Sequence, residues 1–214
     1  MRRQTLLTVT LALLVALAGC GGGETDDGPI VAEASPATVD EAALSATGYE
    51  FVERSNRTTN ATVAVSLQGD IEVTSTFAVR ATTTRAVYER QTGAGRAVVG
   101  VRSVPGVKPS EALAAPRNPF AGREVTALAT NATGVAVRDA RPTANGTVVL
   151  FGNETTLRRY EATAGGDSPV TVSVARARRG GDFVYLVAVV PRSADERDRI
   201  ARLAGGVRHA SKDG

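Results

Sequence analysis

The chain has no tryptophan, one methionine, one cysteine and one histidine, and aromatic residues make up only 4% of it. A single cysteine, Cys20, excludes an intramolecular disulfide framework. His209, the one histidine, follows the last predicted helix, where a lone imidazole reads as a solvated residue rather than a catalyst. Without a second histidine, and with Cys20 assigned to another use below, no Ser-His-Asp or Cys-His arrangement can be proposed. Lysine is nearly missing too: beyond Lys108 and Lys212, every basic residue is arginine. The net charge is +3, but Arg2 and Arg3 belong to a leader, and without them 23 basic residues face 22 acidic ones. The densest arginine clusters are Arg158-Arg159 and Arg176, Arg178, Arg179. A nucleic-acid site would need a longer basic stripe with aromatic stacking partners. These clusters are therefore expected to be a solvated face with ordinary salt bridges, with no nucleic-acid partner.

Hydrophobic residues are 43% of the chain, which rules out a fully disordered protein. They are mostly Ala and Val, interleaved with Thr, and such small and β-branched side chains favour sheet.

Arg2-Arg3 precede a largely apolar run from Leu6 to Ala18. Its 13 residues are too few to span a bilayer comfortably as a helix, and the pattern is that of an export signal, residues 1–19. Leu17-Ala18-Gly19-Cys20 fits a lipobox, so cleavage between Gly19 and Cys20 and lipidation of Cys20 are expected. The competing readings are an ordinary secretory leader with an accidental cysteine, or an uncleaved anchor. The paired arginines fit a twin-arginine signal only in part, because Thr5 stands where an apolar residue is usual. Either export route stays open. Diacyl attachment at Cys20 would anchor the protein durably to the outer face of the cell membrane.

Residues 20–34 are Gly-rich and acidic and predict a flexible tether. Residues 35–210 then form one domain, followed by a tail at 211–214. Thr38 and Glu41 have capping-box spacing before a helix at 39–46 that Gly48 stops. Strands are expected from Tyr49 to Val52, at 61–67 and 71–81 around a Gln68-Gly69-Asp70 turn, then near 86–88 and 97–101. A Pro-rich crossover at 105–120, with a possible helical turn at Ser110–Ala114, can form the mouth of a groove beside a sheet, though most such segments only connect elements. A helix at 124–130 follows, then strands near 134–138, 147–151, 155–163, 169–177 and 183–190. Asn145-Gly146 and Gly180-Gly181-Asp182 are tight-turn signals. Phe183–Val190 is apolar at nearly every position and predicts a central strand covered on both faces. Ser193 and Glu196 are spaced as a second capping box before a helix that buries Ile200 and Leu203. Asp195, Glu196 and Asp198 are placed on its exposed face. The fold class is α+β: a predominantly antiparallel sheet of six to nine strands with a few short helices, the last one covering the sheet.

Five of the six asparagines, Asn56, Asn60, Asn131, Asn145 and Asn153, stand in Asn-x-Thr sequons at predicted turns or strand ends. They are candidate N-glycosylation sites, with Asn56 and Asn60 the foremost. No catalytic, cofactor-binding or metal-ligating residue emerges, and no cofactor is expected.

Ser35-Pro36-Ala37-Thr38-Val39 through Thr47-Gly48-Tyr49-Glu50, Asn118-Pro119, Gly152 to Tyr160, Gly181-Asp182-Phe183-Val184 and Pro191 together resemble a family of uncharacterised surface lipoproteins from halophilic archaea. The resemblance covers residues 31 to 209 and carries no functional residues. The element order is also similar to the α/β/α sandwich of the photosystem accessory protein PsbP and of a Ran-binding protein, an analogy of fold alone. The expected function is a non-enzymatic, lipid-anchored surface domain. It would bind a partner or ligand, or serve an envelope protein complex. A carrier of a small apolar ligand in a sheet–helix cleft, or a carboxylate-based hydrolase, is the alternative. A deep dry cleft would favour the carrier, and converging carboxylates the hydrolase.

Overall fold

The computed structural model describes residues 28–67, 73–109 and 115–210. The leader with Gly19 and Cys20, the tether up to residue 27, the Gln68-Gly69-Asp70 turn, the segment 110–114 and the tail 211–214 lie outside the described residues.

Ten strands and three helices follow in order: β1 (Ile30–Glu33), β2 (Ala37–Val39), α1 (Glu41–Thr47), β3 (Glu50–Leu67), β4 (Val73–Thr92), β5 (Gly95–Val104), α2 (Val125–Thr133), β6 (Val137–Leu150), β7 (Asn153–Ala164), β8 (Ser168–Arg179), β9 (Asp182–Pro191), α3 (Arg197–Gly205) and β10 (Val207–His209). Eight strands make one sheet in the order β1-β4-β5-β9-β8-β7-β6, with β3 along the far side of β4. β2 and β10 form a separate two-stranded sheet. Only β1 with β4 is parallel. The antiparallel α+β expectation holds. The eight-stranded sheet falls within the expected six to nine strands; the short β2 and β10 pair apart from it, and their few residues leave no periodic signal.

β9 lies inside the sheet and is buried from Asp182 to Val190. Its alternate side chains feed two cores. Val184, Leu186, Ala188 and Val190 pack with Ile200 and Leu203 of α3, and Val187 and Val189 pack with Ala129 and Ala132 of α2. Each Val, Leu or Ile among them contributes about 1.5–3 kcal/mol on burial. Helices thus cover both faces of the sheet.

Several local expectations are corrected. β1 pairs with Val79–Thr82 of β4, so the ordered domain begins inside the expected tether, by Ile30 rather than residue 35. The strands predicted at 49–52 and 61–67 are one 18-residue β3, and those at 71–81 and 86–88 are one 20-residue β4. Asn145-Gly146 is not a turn: it lies within β6 opposite Arg158 and Leu157. The chain reverses at Phe151 and Gly152, with φ of +53° and +80°. The turn at Gly180-Gly181 stands as expected.

Neither capping box forms. Asp40 is the N-cap of α1, and its Oδ1 accepts from the Ala43 amide at 2.8 Å, while Thr38 sits in β2. At α3 the N-cap is Glu196, whose carboxylate turns inward instead of onto an exposed face. It accepts from the Tyr49 hydroxyl at 3.1 Å and pairs with Arg90 at 2.6 Å. Burial, reinforced by the Glu196 charge, raises the Tyr49 hydroxyl well above its ordinary range.

His209 is likewise not solvated. Its Nε2 lies 3.0 Å from Oδ2 of Asp182, and both side chains are 2% exposed. The same oxygen accepts from the Ser35 amide at 2.7 Å and from the Ser103 hydroxyl at 3.5 Å. Serine, aspartate and histidine therefore do converge. The aspartate is the hub, however, and the serine bonds to it rather than to the imidazole, so no base is placed against a nucleophile. The cluster fastens four segments of backbone together.

Candidate functional site: an arginine-lined cleft

On the α2 face, register builds a row of polar side chains across five strands. Ser55 of β3 pairs with Arg85 of β4, Arg85 with Arg102 of β5, Arg102 with Tyr185 of β9, and Tyr185 with Arg176 of β8. Neighbouring strands are about 4.8 Å apart, so residues opposite one another share a face and stand side by side. The next row runs Gly100, Val187, Val174 and Arg158. α2 sits directly on it. A Cβ built on Gly100 would lie 2.1 Å from the Ala132 carbonyl oxygen, so only glycine lets the helix approach this closely.

Between α2, the loop at 118–123 and the sheet lies a cleft of about 460 Å³. Val125, Leu128 and Asn131, spaced three apart along α2, form one wall. Phe120 and Arg123 stand on the other, and Arg102, Arg158, Arg176 and Tyr185 rise from the floor. Of the 17 described residues that line it, four are arginine and none is Asp or Glu. Among the described residues, none of the four arginines is ion-paired. Arg158 and Arg176 are solvated as expected, but the ordinary salt bridges expected for them are absent among the described residues.

Arg102 is the unusual member. It is only 8% exposed, and Nη2 makes a long 3.4 Å hydrogen bond to Thr83 Oγ1. Burial, then the like charges of Arg123 and Arg57, push its guanidinium down to about 10. It remains a buried cation at neutral pH, surrounded by other cations. Its guanidinium carbon lies 5.8 Å from the Phe120 ring centroid, and that of Arg123 lies 4.5 Å from the same ring. Phe120 therefore holds two guanidinium groups at the mouth through their attraction to its π face. Asn118 fixes the loop: its Oδ1 accepts from the Phe120 amide at 2.8 Å, and its Nδ2 donates to the Tyr185 hydroxyl at 2.6 Å. A smaller cleft of about 290 Å³ shares Arg102 and Asn131 and adds Arg57 and Arg85, the latter paired with Glu53.

The cleft is neither the dry apolar pocket that would suit a carrier nor a meeting of carboxylates. The groups it presents, guanidinium forks with amide and hydroxyl donors, are of the kind that hydrogen-bond anions. Sequence reasoning missed it because its cations come from four separate stretches. The Pro-rich crossover was the one hint, since its end supplies the outer wall.

Of the candidate modification sites that are described, only Asn131 lines this cleft. Cys20 and Gly19 fall outside the described residues. The sequon asparagines lie in regular elements rather than in turns. Asn56 and Asn60 are exposed within β3, and Asn145 is exposed within β6. Asn153 opens β7, at the strand end expected for it. Asn131 lies in α2, half-buried, with Nδ2 donating to the Ala127 carbonyl at 2.7 Å, and its sequon threonine, Thr133, is buried.

No curated protein matches the chain. Residues 36–208, nearly all of the described fold, match the family described as a domain of unknown function, DUF6517, and the chain belongs to that family.

Proposed function

We propose that this protein is a lipid-anchored, extracytoplasmic binding domain that takes up an anionic ligand without transforming it. The observation that carries the reading is Arg102, a buried guanidinium with no anionic partner among the described residues. An uncompensated buried charge costs several kcal/mol. Retaining one at the floor of an open cleft makes physical sense where an incoming anion supplies the missing charge, through hydrogen bonds worth about 1.5–3 kcal/mol each. The walls offer donors and cations, and no His, Cys, Asp or Glu among the described lining residues.

The leader supports the location. An export signal ending in Leu17-Ala18-Gly19-Cys20 would deliver the domain to the outer face of the cell membrane, held by lipid on Cys20 among the surface lipoproteins of halophilic archaea.

Arg102→Met tests the reading, because Met fills similar space without charge. Sulfate binding by calorimetry should be lost while the thermal midpoint holds or rises. A variant that melts well below the parent, or that binds sulfate unchanged, would sink the proposal.

A further inference from the structure

From the same cleft we infer the class of ligand: a phosphate monoester carrying a flat apolar body, rather than a free inorganic anion. This inference rests on the anion-binding reading above. Three of the four cleft arginines are linked through shared neighbours: Arg102 and Arg123 both lie over the Phe120 ring, while Arg158 stands beside Val174. Arg102 and Arg176 flank Tyr185 on adjacent strands, the residues of each pair standing directly opposite one another. With Arg123 they supply three guanidinium groups, a match for a dianionic phosphate more than for a carboxylate of single charge. The remainder of the lining is apolar in a way a bare anion would not use. Leu128 and Val125 face it from the helix, Val174 from the sheet and Phe120 from the loop. A volume of about 460 Å³ also exceeds what a lone phosphate fills and falls in the range of small organic ligands. The ester's oxygens would meet Arg102, Arg176 and Arg123, and its ring would lie against Leu128 and Val125. The loop that closes this site is held by the Asn118 hydrogen bond to Tyr185, so the apolar wall and the cationic floor are positioned by one another.

The test titrates the full chain with phenyl phosphate, inorganic phosphate and phenol by calorimetry, in the parent and in Leu128→Asn and Arg176→Ala. Leu128 is half-buried and Arg176 exposed, so both variants should fold, which circular dichroism checks. Phenyl phosphate should bind at least about tenfold more tightly than inorganic phosphate, a difference of about 1.4 kcal/mol, and phenol should not bind. Leu128→Asn should erase that preference, and Arg176→Ala should weaken both phosphates. Equal affinity for the two phosphates would overturn this inference and leave the anion site standing. No binding of either would overturn both readings, and phosphate binding indifferent to Arg176→Ala would place the site elsewhere.

Discussion

At the scale of single residues, charge and burial pull against each other in the cleft. Arg102 titrates near 10 in the folded chain, below its ordinary value of 12.5. Between those values the unfolded chain holds more protons than the folded one, so this group makes folding more favourable as pH rises through the window. Anion affinity should move the other way. Sulfate keeps its charge throughout, so its binding should weaken roughly tenfold between pH 8 and 11 as the Arg102 cation is lost, the worth of one charged hydrogen bond. Calorimetry at the two pH values reads this directly, and a flat profile would mean that Arg102 does not touch the anion. Tyr49 acts oppositely on stability. Its raised hydroxyl favours the folded state fully below pH 10, and that contribution fades as pH climbs above it. None of this was visible in the sequence. Arg102 falls just past the strand expected at 97–101, and only register sets Tyr185 and Arg85 beside it.

At the scale of elements, the sequence was clearest where one residue type decided the outcome. Phe183–Val190 has no polar face to present to water, so it had to be a doubly covered strand, and it is. Gly48 and Gly180-Gly181 take positive φ where they were expected to turn the chain. Asn145-Gly146 carries the same local signal and fails. Pairing of β6 with β7 runs through it and places the reversal at Phe151-Gly152, so long-range register outweighed local preference. Strand lengths were misjudged for a related reason. Thr-, Arg- and Asn-rich stretches such as Arg54–Thr62 look like loop, yet an edge strand exposed over that span needs little apolar content. The seating of α2 shows what a single missing side chain controls. Gly100→Ala forces a methyl group into the Ala132 carbonyl, and overpacking of this kind costs about 1–3 kcal/mol. The variant should melt earlier in thermal denaturation. Because the helix must lift, it should also bind sulfate more weakly, even though Gly100 is not a lining residue of the cleft. A variant as stable as the parent would contradict this packing.

For the whole molecule, the export reading and the fold make a joint prediction. Protein purified from its native membrane should yield a Cys20 peptide that begins at the cysteine and carries lipid. In the same digest, glycopeptides should come from Asn56 and Asn60, which are exposed along an edge strand, and none from Asn131, whose amide is bonded back into its own helix. Mass spectrometry reads both, and an intact leader or an occupied Asn131 would contradict the respective part. The cleft faces away from the α1–α3 side of the sheet, so the two cores can be perturbed separately. β2 and β10 pair so that Ala37 stands opposite His209, the Ala210 amide donates to the Pro36 carbonyl at 2.9 Å, and Asp182 binds both the Ser35 amide and His209. Pro36 and Ala210 thus stand side by side, with β1 lying ahead of that point in the chain. From Ile30 to Pro36 the chain can extend only about 20 Å. A linker of about eight residues would therefore join Ala210 back to β1, and the protein could be opened instead at the exposed Gly165-Gly166-Asp167 turn without cutting a strand.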